Sequence, residues 1–131
     1  MGIWVRRWGP AVVMMALIFI ASATPGPDLP YFGFWDSAIK KGGHMLGYAF
    51  LAAAYIHGLT NGKKILRLHF ILSVCLATLY SVVDEFHQGF TSGRTSSAVD
   101  VLIDTAGAGL GLGMWAWIRT FIPGLHGSAN V

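Results

Sequence analysis

The chain has 131 residues, of which 54% are hydrophobic and 11% are charged, and its formal net charge is +3 at pH 7. Soluble domains carry about 25% charged residues, so this composition excludes an ordinary soluble domain and indicates a small membrane protein in contact with lipids. The basic residues form short clusters beside apolar runs, which argues against a nucleic-acid partner. The single cysteine, Cys75, excludes an intrachain disulfide and a cysteine-based metal site.

Four apolar segments approach the roughly twenty residues that a helix needs to cross a membrane. They cover residues 8–23, 42–59, 68–83 and 98–122. Turn-forming sequences separate them, namely Pro25-Gly26-Pro27, Asn61-Gly62 and residues 89–93. The segments lack the two-residue alternation of half-buried strands. The sequence therefore predicts an all-α polytopic membrane protein, a single domain over residues 1–131 with four transmembrane helices in a compact bundle.

The first apolar segment has two possible interpretations. Arg6 and Arg7 precede it, and the small residues Ala21-Ser22-Ala23 end it, as in a cleavable signal peptide. The same small residues are common in membrane helices that stay in place. We expect the segment to be retained as an anchor.

The distribution of lysine and arginine predicts the orientation. With four spans, both termini share one side with the connection between the second and third segments. That side holds six basic residues, Arg6, Arg7, Lys63, Lys64, Arg67 and Arg119. The other side holds three, Lys40, Lys41 and Arg94. The positive-inside rule then places both termini in the cytoplasm and all six acidic residues at or near the outer face.

Polar residues recur at helical spacing at the outer ends of three segments. Lys41, His44 and Tyr48 share one face of the second segment and descend about 10 Å along it. The third segment carries Ser81, Glu85 and Gln88 on one face, and the fourth begins with Asp100 and Asp104. Three helices therefore present polar faces at a similar depth.

An ionised side chain that faces lipid costs about 2.5–3.5 kcal/mol at the centre of a membrane helix. Turning the polar faces inward avoids this cost and predicts an outward-facing polar pocket. The expected lining is His44, Tyr48, Glu85, Gln88, Arg94, Asp100 and Asp104. Arg94 can pair with a carboxylate or bind an anionic group. Gly107 with Gly111, and Gly109 with Gly113, form overlapping G-x-x-x-G patterns that permit close helix packing.

This set of residues resembles the VanZ-like family of membrane proteins. The resemblance covers about residues 40–113 and rests on Lys41-x-x-His44-x-x-x-Tyr48, Glu85-x-x-Gln88, Gly93-Arg94, Asp100, Asp104 and Gly107-Ala108. The family takes its name from an accessory protein that raises bacterial resistance to the glycopeptide teicoplanin. The resemblance implies a multi-pass protein of the bacterial plasma membrane. Resistance itself does not transfer to this chain.

Two functions fit the predicted pocket. In the first, an enzyme acts on a lipid-linked or anionic envelope substrate, with Glu85 as general acid or base and His44 as the alternative proton carrier. Substrate binding would then fall to Lys41, Tyr48, Gln88, Arg94, Asp100 and Asp104. In the second, a non-catalytic protein binds a lipid head group or assembles with an envelope enzyme.

Two further interpretations concern the same residues. Pairs such as Glu85 with Arg94, or Asp100 with Lys41, could be ion pairs that hold the helices together. A metal site is not expected, because no H-E-x-x-H or comparable spacing occurs and the candidate ligands are scattered over three helices. We expect no cofactor, and the residues point to no particular protein partner.

Overall fold

A computed structural model of the chain describes residues 2–61 and 63–121. These residues form four long helices: α1 (Gly2–Ala23), α2 (Asp36–Thr60), α3 (Arg67–Gln88) and α4 (Ala98–Phe121). Two short 3₁₀ turns, Gly26–Asp28 and Gly33–Trp35, lie between α1 and α2. Within this part of the chain there is no strand, so the predicted all-α class is confirmed. Gly62 of the predicted turn, Ile122 of the fourth segment and the side chain of Arg119 lie outside the described residues.

Three of the helices are long and apolar enough to cross a membrane, namely α1, α3 and the Ala98–Ile118 part of α4. Large apolar side chains cover their outer surfaces, and Val12, Leu79 and Leu110 are each more than half exposed. This surface suits lipid, and the protein is a membrane protein. α2 is not among the three apolar helices, although its 25 residues span about 37 Å.

The position of α2 in the bundle explains its polarity. It packs against α1, α3 and α4, whereas the described parts of α1 and α4 are not in contact with each other. α3 contacts both α1 and α4. From Tyr48 onward most residues of α2 are buried or partly buried, and Lys40, Lys41 and His44 nearer its start line a pocket instead of the outer surface of the bundle.

The helices extend beyond the apolar segments that predicted them. α2 begins at Asp36 rather than at residue 42, and α3 continues to Gln88 rather than ending at residue 83. Most of the added residues are polar, so hydropathy does not include them. In α3 the added residues Asp84, Glu85 and Gln88 face neighbouring helices and are all buried.

α2 and α4 approach most closely where α4 presents glycine. A Cβ atom at Gly107 would overlap the backbone of Met45, and one at Gly111 would overlap Ala49. The second predicted pair differs, since Gly109 and Gly113 have no atom within 4 Å of the Cβ position. Only the first G-x-x-x-G pair therefore serves this helix contact.

The two connections at one end of the bundle pack against each other. The Gly26 N–H donates to the Ser92 carbonyl at 2.9 Å. Gly26 lies so close to Gly93 that a side chain at Gly26 would overlap it, and Gly93 adopts a φ of 70°. We call this end, where α1 and α3 end and α2 and α4 begin, the pocket end.

Candidate functional site

A pocket of about 210 Å³ lies at the pocket end among α2, α3 and α4. Seven of the eight predicted site residues line it: Lys41, His44, Glu85, Gln88, Arg94, Asp100 and Asp104. Asp36, Ser37, Lys40 and Ile103 complete the lining. Charged groups from separate helices thus converge on one cavity, while the roles predicted for them stay predictions.

Tyr48 is the predicted site residue that does not line the pocket. It is fully buried one turn deeper in α2. Its ring stacks near that of His44, with centroids 6.4 Å apart and planes 23° apart. Its hydroxyl has no hydrogen-bond partner among the described residues. Tyr48 therefore packs beside His44 on the side away from the pocket mouth and is not placed to touch a molecule in the pocket.

Two lysines at the mouth of the pocket form ion pairs. Lys41 Nζ lies 2.8 Å from Asp100 Oδ1, which joins α2 to α4 and matches one of the pairs considered from the sequence. Lys40 Nζ lies 2.8 Å from Asp36 Oδ2, one turn earlier in α2. Asp36 precedes the apolar part of α2, and its hydrogen bond with Lys40 lowers the pKa of this carboxyl. Because all four side chains are partly exposed, these pairs are weak enough to exchange partners.

A buried carboxylate lies beside His44. Asp104 is 1% exposed, and its Oδ2 accepts a hydrogen bond from the Ser81 hydroxyl at 2.7 Å. Its Oδ1 lies 3.6 Å from His44 Nδ1. A carboxylate in this position restricts the orientation of a histidine ring. Ser81, on the predicted polar face of α3, thus contributes by holding Asp104 in place.

Glu85 is held by the start of α4. Its Oε2 accepts the backbone N–H of Ser97 at 2.8 Å, immediately before the first residue of that helix. The free N–H groups and the dipole of a helix start favour a carboxylate there. The ion pair with Arg94 that the sequence suggests is absent, because no nitrogen of Arg94 lies within 4.0 Å of a Glu85 carboxylate oxygen. Sequence spacing could not show that the partner of Glu85 is a backbone group.

Arg94 bonds to α1 instead of to a carboxylate. Its Nη2 donates to the Ala21 carbonyl at 2.8 Å and its Nε to the Thr24 carbonyl at 3.3 Å. Carbonyls at the end of a helix lack intrahelical partners, so a guanidinium is a natural donor to them. Arg94 thereby forms part of the pocket wall while its positive charge has no carboxylate within 4 Å among the described residues.

A second polar network joins Gln88, a predicted site residue, to Ser22 and Asp84, which the sequence did not assign to the site. The Ser22 hydroxyl donates to Asp84 Oδ2 at 2.6 Å, and Gln88 Nε2 donates to the same oxygen at 3.2 Å and to Ser22 Oγ at 3.0 Å. All three side chains are at most 4% exposed. The i, i+4 spacing of Asp84 and Gln88 is a usable signal in the sequence, whereas no spacing links Ser22 to them. Retention of α1 stays a prediction, and these contacts join α1 to α3.

The absence of a metal site stays a prediction. In residues 2–61 and 63–121, no group of three or more histidine, cysteine, aspartate or glutamate side chains is placed to hold one ion. The arrangement can instead orient His44, present Glu85 and Arg94 on the pocket wall, and offer two lysines whose partners can change.

Comparison with known proteins identifies the family. No curated protein and no solved structure matches the chain. The sequence model of the VanZ/LLP1 family matches residues 8–119, which begin within α1 and end within α4 and so include every residue lining the pocket. The resemblance seen in the sequence is confirmed. The chain belongs to the VanZ/LLP1 family.

Proposed function

We propose that the protein crosses the bacterial plasma membrane four times and binds the head group of an anionic lipid or lipid-linked envelope component in the pocket. The observation that carries this proposal is the environment of Arg94. Backbone carbonyls orient its guanidinium in the pocket wall without neutralising its charge. A guanidinium held in this way suits a phosphate or carboxylate.

The carboxylates in the pocket narrow the class of ligand. Three cations and four carboxylates line the cavity, and the carboxylates of Asp36 and Asp100 are already paired with lysines. A ligand that offered only an anion to Arg94 would place that anion near the Glu85 carboxylate in the same small cavity, where the two groups repel each other. The head group that fits best therefore combines an anion for Arg94 with hydroxyl or amino donors for Glu85, as phosphoglycerol does.

The membrane topology belongs to the same proposal. Aromatic side chains of the α1–α2 connection, Tyr31, Phe34 and Trp35, are highly exposed, as expected for residues at a membrane interface. The lysine and arginine distribution supports an orientation with the pocket end outside and the termini in the cytoplasm. α2 would cross the membrane at the centre of the other three helices.

Cysteine labelling in intact cells tests this topology. In a Cys75→Ser background, a cysteine introduced at exposed Asp28 is expected to react with a membrane-impermeant maleimide from outside. A cysteine introduced at exposed Lys64, on the α2–α3 connection, is expected to react only after the cells are permeabilised. Labelling in the reverse order would place the pocket on the cytoplasmic side.

Head-group binding is tested with a soluble lipid. Purified protein in detergent is titrated with dihexanoyl phosphatidylglycerol, and binding is measured by calorimetry. Replacing Arg94 by glutamine is expected to lower the affinity about 10-fold to 100-fold, because a charge-assisted hydrogen bond contributes about 1.5–3 kcal/mol. Dihexanoyl phosphatidylcholine, which offers no donor to Glu85, is expected to bind the wild type more weakly.

Two control variants test whether the loss of affinity depends on the position and on the charge of Arg94. Lys63→Gln removes a cation far from the pocket and is expected to leave binding unchanged. Arg94→Lys keeps the charge and is expected to recover part of the affinity that glutamine loses. Equal affinity of the wild type and a folded Arg94→Gln variant would overturn the proposed function.

A further inference from the structure

An apolar groove of about 360 Å³ lies beside the pocket, between α1 and α2. Met14, Leu17 and Ile18 line it from α1, and Ile39, Gly43 and Gly47 line it from α2. Gly43 contributes open space, because no atom lies within 4 Å of its Cβ position. Apart from the charged residues at one end, the walls of the groove are suited to a hydrocarbon chain and not to a polar group.

The groove and the pocket share part of their walls. Lys40, His44 and Arg94 line both cavities. The groove therefore joins the pocket at the side of the pocket that carries these basic residues, and Arg94 lies at the junction. A molecule with its anion on Arg94 has its head group in the pocket and its apolar part directed toward the groove. The two cavities together match the two parts of an amphiphile.

We propose that the groove binds one hydrocarbon chain of the same anionic lipid whose head group occupies the pocket. This inference rests on the proposed function. It implies that the ligand is an amphiphile that resides in the membrane and not a water-soluble phosphate. Lipid tails are as apolar as the groove, so transfer from membrane to groove gains little from the hydrophobic effect. Selectivity must then come from the head group, while the groove fixes where the chain lies.

Photo-crosslinking tests this placement. The full chain is reconstituted in phosphatidylcholine vesicles that contain a small fraction of phosphatidylglycerol with a diazirine midway along one acyl chain. The peptides that contain Leu17 and Ile39 are expected to be labelled at least about fivefold more by this phosphatidylglycerol than by phosphatidylcholine with the same diazirine. Dihexanoyl phosphatidylglycerol binding is measured in parallel.

Gly43→Leu supplies the variant that blocks the groove. Leucine there fills open space and favours helix, so folding is expected to be preserved. The variant is expected to lose the extra labelling at Leu17 and Ile39. Gly109→Leu, at a position equally free of neighbours on α4, is the matched control and is expected to retain it.

The outcomes separate the two proposals. If phosphatidylglycerol and phosphatidylcholine label the groove equally and Arg94→Gln does not weaken lipid binding, the proposed function fails. If lipid binding depends on Arg94 but labelling lies outside the groove, or is unchanged by Gly43→Leu, only the inference about the chain is overturned. Arg94-dependent binding with labelling that Gly43→Leu removes supports both.

Discussion

Replacing Gly107 by leucine is expected to separate α2 from α4 and to lower the free energy of unfolding by about 1–3 kcal/mol or more. The Cβ position at Gly107 already overlaps the backbone of Met45, which cannot move aside as a flexible side chain could. Buried Ala108 and Leu112 continue the same packed face of α4. Thermal unfolding in detergent, together with the yield of monodisperse protein, measures the loss.

Gly109→Leu is the matched control for this prediction. It makes the same substitution two residues away in the same helix, where the Cβ position has no neighbour within 4 Å. Glycine is less favourable than alanine in a helix by about 0.8–1.0 kcal/mol, and leucine ranks close to alanine, so this variant is expected to be as stable as the wild type or more so. Equal stability of the two leucine variants would show that the close approach of α2 and α4 at Gly107 is incorrect.

Replacing Asp84 by alanine is expected to destabilise the contact between α1 and α3. The change removes the oxygen that accepts from both Ser22 and Gln88, whose side chains are both buried. Each buried donor left without an acceptor costs about 1–3 kcal/mol. The expected result is a lower unfolding temperature in detergent and easier proteolysis of the α1–α2 connection.

Two further substitutions test whether the loss of stability in Asp84→Ala comes from the buried hydrogen bonds. Asp84→Asn keeps an acceptor oxygen of similar shape and is expected to retain much more stability than alanine. Asp28→Ala removes an exposed carboxylate from the α1–α2 connection and is expected to have no effect. An Asp84→Ala variant as stable as the Asp28→Ala variant would contradict the buried network.

The network at Asp84 also bears on the site. Ser22 and the carbonyl of Ala21 belong to the last turn of α1, and the latter orients Arg94. Removal of α1 by cleavage after Ala23 would take both away. Retention of α1, which the sequence predicts, is therefore a requirement of the proposed head-group site as well as of the bundle.

Several features of this protein were determined by the sequence alone. The low charge and the long apolar runs predicted helices in a membrane, because only residues compatible with lipid can cover the outside of such a bundle. Helical spacing placed Lys41 and His44 on one face and Glu85 and Gln88 on another. These predictions needed only the 3.6-residue period and the cost of charge in lipid.

The partners of those side chains were decided only by the tertiary structure. Arg94 bonds to the end of α1, Glu85 bonds to the start of α4, and Tyr48 lies below the pocket. Backbone groups at helix ends carry no signature in side-chain spacing, so these contacts follow from how the helices are placed. The same holds for glycine: Gly107 and Gly109 look alike in sequence, but only Gly107 faces α2, because helix rotation decides which residue meets a neighbour.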